Sequence, residues 1–166
     1  MSSNQYSFTT AWILQAPIDT VWDALHEVER WPDWWTYVAS VVKLEAGDQD
    51  GIGSLYRHTW RTRLPYNLVF DLRTARLERP HLIEATTAGE LEGTGRWQLS
   101  STPARTRAVN EWRVRTAKSW MNLVAPIARP VFAWNHAALM RSGRLDLQRL
   151  LDERMVAQGG RPDQVI

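Results

Sequence analysis

The side chains best suited to acid–base chemistry in this chain are two histidines placed among apolar residues. His136 follows Asn135 in a segment whose neighbours at helical spacing are apolar. His58 alternates with Tyr56 and Trp60, so these three side chains share one face of a strand. Each imidazole could orient a ligand or transfer a proton, or it could be a core residue with hydrogen-bonded nitrogens. The sequence leaves both interpretations open, and His58 and His136 are its two catalytic candidates.

Other catalytic or metal-binding sets are missing from the sequence. There is no cysteine, which excludes disulfides, thiolate metal sites and cysteine nucleophiles. No G-x-S-x-G or H-E-x-x-H motif is present, and the other histidines, His26 and His81, fall on a helix surface and in a turn. We therefore expect no metal and no cofactor. The sequence favours a binding protein over an enzyme.

The stretch RWPDWW places Trp31, Trp34 and Trp35 within six residues. Large aromatic side chains stabilise a core by burial, and they are also enriched at recognition surfaces. We predict that Trp31 packs in the core. For Trp34 and Trp35, packing and a place at the entrance of a ligand site are both open.

Two periodicities divide the chain into elements. Residues 5–15 alternate and predict a strand, Pro17 opens a short helix, and Pro32 separates it from a second short one. Period-two patterns then predict six strands, joined by short turns that favour antiparallel neighbours. Their predicted ranges are 38–46, 53–64, 66–79, 82–89, 92–101 and 105–117.

Helical periodicity returns after residue 116. Pro126 and Pro130 predict that residues 119–128 are separate from a long helix, which starts at Pro130 and runs to about Met155. Gly143 lies on the apolar stripe of that helix, and close packing at this point is favoured over space left for a ligand. We expect one domain over residues 1–156 and a flexible tail over 157–166.

Alternation also sorts the strand residues into an apolar inner face and an outer face rich in arginine and acids. The long helix is the element that can cover the inner face, so a ligand would lie between them. The ligand-binding residues predicted besides Trp34 and Trp35 are Tyr56, His58, Trp60, Phe70, Trp97, Asn110, Trp112, Phe132, Asn135, His136, Leu139 and Met140.

The charge pattern does not suggest nucleic-acid binding. The formal net charge is +2 although the pI is about 9.3, because nearly all basic residues are arginines. Arg57, Arg61 and Arg63 alternate with the aromatic residues and face away from them, so they do not form one basic aromatic surface. No signal peptide and no membrane span of ~20 apolar residues is evident. We expect a cytoplasmic protein, monomeric or a weak homodimer.

The order of elements, with the APIDTVWDAL and ERWPDWW stretches, LEGTGRWQL at 91–99 and RPVFAWNHAALM at 129–140, resembles the START/Bet v 1-like (SRPBCC) superfamily. Within it, the chain is most similar to the polyketide cyclase/dehydrase and lipid-transport group. The resemblance implies an α+β helix-grip fold, in which a seven-stranded curved antiparallel sheet wraps around a long C-terminal helix. Two short helices lie between strands 1 and 2, and a pocket for an apolar small molecule is typical.

Three functions follow from this fold. The leading hypothesis is binding, with possible transport, of a small, largely apolar molecule such as a lipid, an isoprenoid, or a sterol-like or aromatic/polyketide compound. A polyketide cyclase/dehydratase that uses His136 and His58 is the enzyme alternative, weakened because this chain turns its strand arginines outward. A co-chaperone-like or quinone-binding-like interaction module would need an exposed apolar patch, expected near Trp34, Trp35 or residues 119–128.

Overall fold

The computed structural model describes the backbone of residues 4–159 and the side chains of residues 4–118 and 128–159. Within residues 4–159, seven strands and three α-helices follow one another as an N-terminal strand, two short helices, six strands and one long helix. Their bounds are β1 Gln5–Leu14, α1 Ile18–His26, α2 Trp31–Trp34, β2 Val38–Glu45, β3 Leu55–Trp60, β4 Leu68–Glu78, β5 Leu82–Gly89, β6 Leu91–Thr102, β7 Arg105–Thr116 and α3 Ser119–Gly159.

The strands form one antiparallel sheet in the order β1-β7-β6-β5-β4-β3-β2. Consecutive strands from β2 to β7 are neighbours, as their short connections require, and β1 closes the order by pairing with β7. Register shifts in β2 and β4 add irregularities that bend a sheet. The predicted helix-grip fold, with two short helices between the first two strands, is confirmed.

The two short helices form where prolines permit them. Pro17 precedes the first residue of α1, and Asp19 lies in the first turn, where a carboxylate favours the helix dipole. A short 3₁₀ turn at Val28–Arg30 leads into α2, which has Pro32 near its start. The apolar side of α1 is buried against the sheet, so both helices cover one end of the inner face.

The long helix starts earlier than the sequence predicts. α3 begins at Ser119 and not at Pro130, so the predicted separation of residues 119–128 is wrong. A proline removes one hydrogen bond of the helix and disturbs the preceding turn, but a helix accommodates this cost when its other contacts are favourable. α3 extends to Gly159, and residues 160–166 of the predicted tail lie outside the described residues.

Strand β3 is shorter than predicted, because it ends at Trp60 and not near residue 64. The hydroxyl of Thr62 accepts a hydrogen bond from the amide of Leu64 (3.1 Å) and donates one to the carbonyl of Tyr66 (2.7 Å). These local bonds replace strand pairing with a compact β3–β4 loop.

The buried residues whose side chains are described form two clusters on the inner face. The larger one joins α1, α2 and the C-terminal half of α3 around Trp12, Trp35 and Leu147. The smaller one, around Tyr6, Phe70 and Val114, lies toward the other end of the sheet. None of the described helices is long and apolar enough to cross a membrane.

Candidate functional site

A cavity of about 190 Å³ lies between the inner face of the sheet and α3. Its walls are mostly aromatic and aliphatic, which is typical of sites for small apolar molecules. Every residue that the sequence predicts as ligand-binding borders this cavity, apart from Trp34. Their role in binding stays a prediction, but the fold brings their side chains together.

The helix wall of the cavity comes from one stripe of α3. Phe132, Asn135, His136, Leu139 and Met140 recur at three- and four-residue intervals, so their side chains lie on the same side of the helix. Leu139 and Met140 are buried, whereas the first three residues are partly exposed. The N-terminal part of this stripe is therefore closest to solvent.

Strand alternation supplies the opposite wall. Tyr56, His58 and Trp60 of β3 all border the cavity, and His58 is paired in register with Phe70 of β4. On β6 and β7, register pairs Trp97 with Asn110, and both residues border the cavity together with Trp112. Because side chains alternate across a strand, the inner face carries the aromatic residues and the arginines face outward.

His58 is fully buried with one ring nitrogen left without a partner. Its Nδ1 accepts a hydrogen bond from the indole of Trp60 (3.4 Å), whereas its Nε2 is buried and has no hydrogen-bond partner among the described residues. The ring stacks on Phe70 with centroids 5.6 Å apart. Burial lowers the pKa of His58 to about 4, although the carboxylate of Asp71 acts in the opposite direction. The imidazole is therefore neutral at pH 7.

His136 is the polar group of the helix wall. Its ring stacks on Phe8 with centroids 4.2 Å apart, and within the described part of the chain no hydrogen bond is formed by its side chain. Burial lowers the pKa of His136 to about 4. The cavity thus contains two neutral imidazoles, each with at least one nitrogen that a ligand could engage.

The two asparagines of the site have partners within the protein. The side-chain oxygen of Asn135 accepts a hydrogen bond from the backbone amide of Arg63 (2.8 Å), which ties α3 to the β3–β4 loop. Asn110 donates a weak bond to the carbonyl of Arg96 (3.4 Å). Some of the hydrogen-bonding groups of these two side chains are therefore engaged in holding the cavity walls together. The imidazoles of His58 and His136 are more available than the asparagines for contact with a ligand.

Two of the three RWPDWW tryptophans, Trp31 and Trp35, form part of the cavity wall. Trp35 is only 1% exposed and donates from its indole nitrogen to the carbonyl of Leu139 (3.1 Å). Trp31 is in the core as predicted, and it also borders the cavity. Trp34 is half-buried and stacks on Trp35, outside the cavity lining. The structure therefore places Trp35 in a buried part of the cavity wall and not at an entrance.

Gly143 allows this placement of Trp35. A Cβ atom at position 143 would lie 2.4 Å from the indole ring of Trp35, so the glycine lets α3 pass directly over the ring. Next to it, Asp146 accepts hydrogen bonds from the amide of Thr36 (3.0 Å) and the hydroxyl of Ser142 (2.9 Å). The preference for close packing at Gly143 agrees with this geometry.

Sequence reasoning missed several contributors to the site. Phe8, which stacks on His136, and Leu68 and Leu72, which border the cavity, lie on inward positions of their strands. Alternation indicated their direction but not their level along the sheet. Asp146 was missed as well, and the only signal for it was its four-residue spacing from Ser142 on the packed side of α3.

No metal site emerges from the residues whose side chains are described. Among residues 4–118 and 128–159, no group of three or more His, Asp or Glu side chains could hold a metal ion.

The exposed apolar patch expected near Trp34 or Trp35 is not formed, because Trp35 is buried and Trp34 packs on it. The alternative location, residues 119–128, falls almost entirely outside the described side chains.

The chain is similar to one family and to several solved structures. The model of the family described as polyketide cyclase/dehydrase and lipid transport matches residues 5–151. The Zhui aromatase/cyclase from Streptomyces sp. R1128 is 20% identical, with a TM-score of 0.78 over 95% of this chain and 99% of that one. A START superfamily protein from Mycobacterium smegmatis is 14% identical, with a TM-score of 0.70 over 90% and 98% of the two chains.

A solved plant protein is also similar in structure to this chain. Ginseng major latex-like protein 151 from Panax ginseng is 6% identical, with a TM-score of 0.67 over 89% of this chain and 98% of that one. At these identities the solved structures establish the fold alone. No curated protein sequence matches the chain.

Proposed function

Because this chain belongs to the polyketide cyclase/dehydrase and lipid transport family, we propose that it binds a small, largely apolar molecule between the sheet and α3. The observation that carries the proposal is the apolar cavity, which is bordered by two neutral imidazoles without a full set of partners. Apolar walls supply affinity, and a few polar groups fix orientation. A cytoplasmic location and a monomeric or weakly dimeric state stay predictions.

The volume of the cavity narrows the ligand class. Pockets for drug-sized ligands measure roughly 300–1,000 Å³, whereas an apolar cavity of about 150 Å³ is enough for benzene. At about 190 Å³, this cavity fits a compound with one aromatic ring or a short acyl or isoprenoid chain. A sterol-sized molecule would require side chains of the wall to move.

The imidazoles suggest how such a ligand would be oriented. Because the neutral ring of His58 accepts from Trp60 at Nδ1, its proton lies on Nε2, which is buried and has no partner among the described residues. The oxygen of a hydroxyl or phenol on the ligand could accept a hydrogen bond from this Nε2–H. This bond would satisfy a polar atom whose burial otherwise costs free energy. We therefore propose that a small phenol-like or alcohol-bearing apolar compound binds more tightly than the hydrocarbon of the same shape.

An acid–base enzyme is the second candidate, because His58 and His136 border the same cavity. Catalysis is most efficient when the pKa of the catalytic group is near the working pH, and a pKa of about 4 makes either ring a weak base at pH 7. Binding is therefore the preferred function. Mass spectrometry of aromatic polyketide analogues after incubation would detect conversion, and its loss in both His58→Gln and His136→Gln would favour the enzyme.

Filling the cavity tests the binding proposal. Ala85 borders the cavity from β5, so Ala85→Phe would place a ring in the space proposed for the ligand. We expect more than tenfold weaker binding of a small phenol, measured by native mass spectrometry and by quenching of tryptophan fluorescence.

Ala88→Phe is the matched control, because Ala88 lies on the same strand and is exposed. It should bind the phenol as the wild type does, and thermal unfolding would show that both variants are folded. Equal affinity of the two variants would place the ligand elsewhere and contradict the proposal.

A further inference from the structure

The outer side of α3 presents an apolar face to solvent. Between Arg129 and Arg141 the helix contains no charged side chain at neutral pH, since burial keeps His136 neutral. Trp134 is 51% exposed and Val131 is 40% exposed, although both are large hydrophobic residues. The exposed apolar residues of this face are Pro130, Val131, Ala133, Trp134 and Ala137.

Arginines surround this apolar face. The guanidinium of Arg63, from the β3–β4 loop, lies 4.8 Å from the centroid of the Trp134 ring. On the other side, the side chain of Arg129 donates a hydrogen bond to the carbonyl of Gln5 (2.8 Å). Arg141 lies further along α3 and is exposed. We call this combination of Arg63 with the outer side of residues 129–141 the arginine–tryptophan face.

The cations of this face lack carboxylate partners. Among the described residues, no ion pair joins Arg63, Arg129 or Arg141 to an acid, whereas the sheet pairs Arg57 with Asp71 at 2.8 Å. The sequence gives the reason, because residues 51–70 and 112–145 contain no Asp or Glu. The segments that form the face therefore carry a positive charge, and no acidic residue within them neutralises it.

The positive charge and the exposed apolar residues of the arginine–tryptophan face favour some partners over others. A symmetric dimer through the face would bring identical arginines together, which is unfavourable. A protein interface carries about one hydrogen bond per 100–200 Å², but between its flanking arginines this face exposes few groups that could form one. Tryptophan beside arginine is instead typical of segments that lie in the interface of an anionic bilayer.

We propose that the arginine–tryptophan face docks onto an anionic lipid bilayer. The opposite side of the same helical segment borders the cavity through Phe132, Asn135 and His136. Docking would therefore hold one wall of the cavity against the lipid surface, where an apolar ligand could pass between bilayer and protein. Docking depends on the surface chemistry of α3 alone, whereas passage of a ligand rests on the proposed function of the cavity.

Sedimentation with vesicles tests the docking surface. The full chain is mixed with vesicles of phosphatidylcholine alone, or of phosphatidylcholine with phosphatidylglycerol. We expect binding to the anionic vesicles only, weakened by added salt because screening reduces the attraction. Each arginine near an anionic surface contributes about fivefold in affinity, so Arg63→Gln with Arg129→Gln should lower it about 25-fold. Trp134→Ala should weaken binding at every salt concentration.

The matched control is Arg105→Gln with Arg107→Gln. These arginines are exposed and form no ion pair with the described residues, but they begin β7 at the opposite end of the sheet, where Thr106 pairs with Leu14. This control should bind anionic vesicles like the wild type. Equal losses in both double variants, or no binding of the wild type, would overturn the proposal, and an acidic protein would then be the better occupant. Phenol binding without vesicles, measured in parallel, reports separately on the cavity.

Discussion

Gly143→Ala is expected to destabilise the protein although alanine is the better helix former. The added Cβ would lie 2.4–2.8 Å from three ring atoms of Trp35, which is closer than real Cβ contacts. Trp35 is 1% exposed, bonded to the carbonyl of Leu139 and packed against Trp12 and other rings, so a shift of its indole would break these contacts. Overpacking of a core costs about 1–3 kcal/mol and occasionally more, against a gain of about 1 kcal/mol in helix propensity.

Because this overlap involves a rigid ring, we expect the upper end of the resulting range, a net loss of about 2 kcal/mol in the free energy of unfolding. For a chain of this length, that corresponds to a fall of roughly 4–8 °C in the melting temperature. Thermal and urea unfolding followed by circular dichroism would measure it.

Gly159→Ala is the control for this prediction, because no atom of the described residues lies within 4 Å of a Cβ built at Gly159. That variant should unfold like the wild type or at slightly higher temperature. A Gly143→Ala protein as stable as the wild type would show that α3 and Trp35 can separate, and the described packing of α3 on Trp35 would then be wrong.

The second large effect is a loss of stability in mild acid. Burial lowers the pKa of His58 and of His136 to about 4, below the ordinary value of 6.5 that the unfolded chain has. Between these values the unfolded state binds more protons than the folded state. The stabilising contribution of each neutral ring is therefore complete above pH 6.5 and is lost progressively as the pH falls toward 4.

The size of the effect follows from the difference in pKa. For His58, which is fully buried, the loss at low pH is on the order of 3 kcal/mol, and it is smaller for the partly exposed His136. Urea unfolding at a series of pH values between 7 and 4.5 would give the free energy of unfolding at each. The wild type should become steadily less stable across this range.

Substitution assigns the effect to the ring. His58→Phe keeps a planar ring beside Phe70 but cannot bind a proton, so its stability should change less with pH than that of the wild type. His26→Gln, at an exposed histidine, should follow the wild-type curve. If His58→Phe and the wild type lose stability in parallel, His58 is not the group that binds the proton.

Local patterns predicted the walls of the site well. Alternation in β3 placed Tyr56, His58 and Trp60 on one face because side-chain direction in a strand is fixed by the backbone. In α3, the three- and four-residue spacing of Phe132, His136 and Leu139 placed their side chains on one side of the helix, because residues at these spacings are neighbours on the helix surface. Each of these inferences concerns neighbours along the chain, which is why the sequence was sufficient.

Contacts between distant segments were not predictable in the same way. Whether Phe8 or another inward residue of β1 meets His136 depends on how α3 is placed along the sheet, and no local pattern encodes that position. The side-chain oxygen of Asn135 accepts a hydrogen bond from the amide of Arg63. Arg63 belongs to the β3–β4 loop, which is stabilised by the hydrogen bonds of Thr62. The start of α3 was mispredicted at Pro130, because tertiary and local contacts can outweigh the cost of a proline.

The amino-acid sequence by itself determined the order of the elements, the apolar inner face, the absence of cysteine chemistry and the resemblance to a helix-grip family. Only the tertiary structure decided that Trp35 packs against Gly143 in the cavity wall, and that both histidines are buried deeply enough to stay neutral. The physical reason is that desolvation and steric fit depend on all the atoms around a group, and those atoms come from segments far apart in the chain.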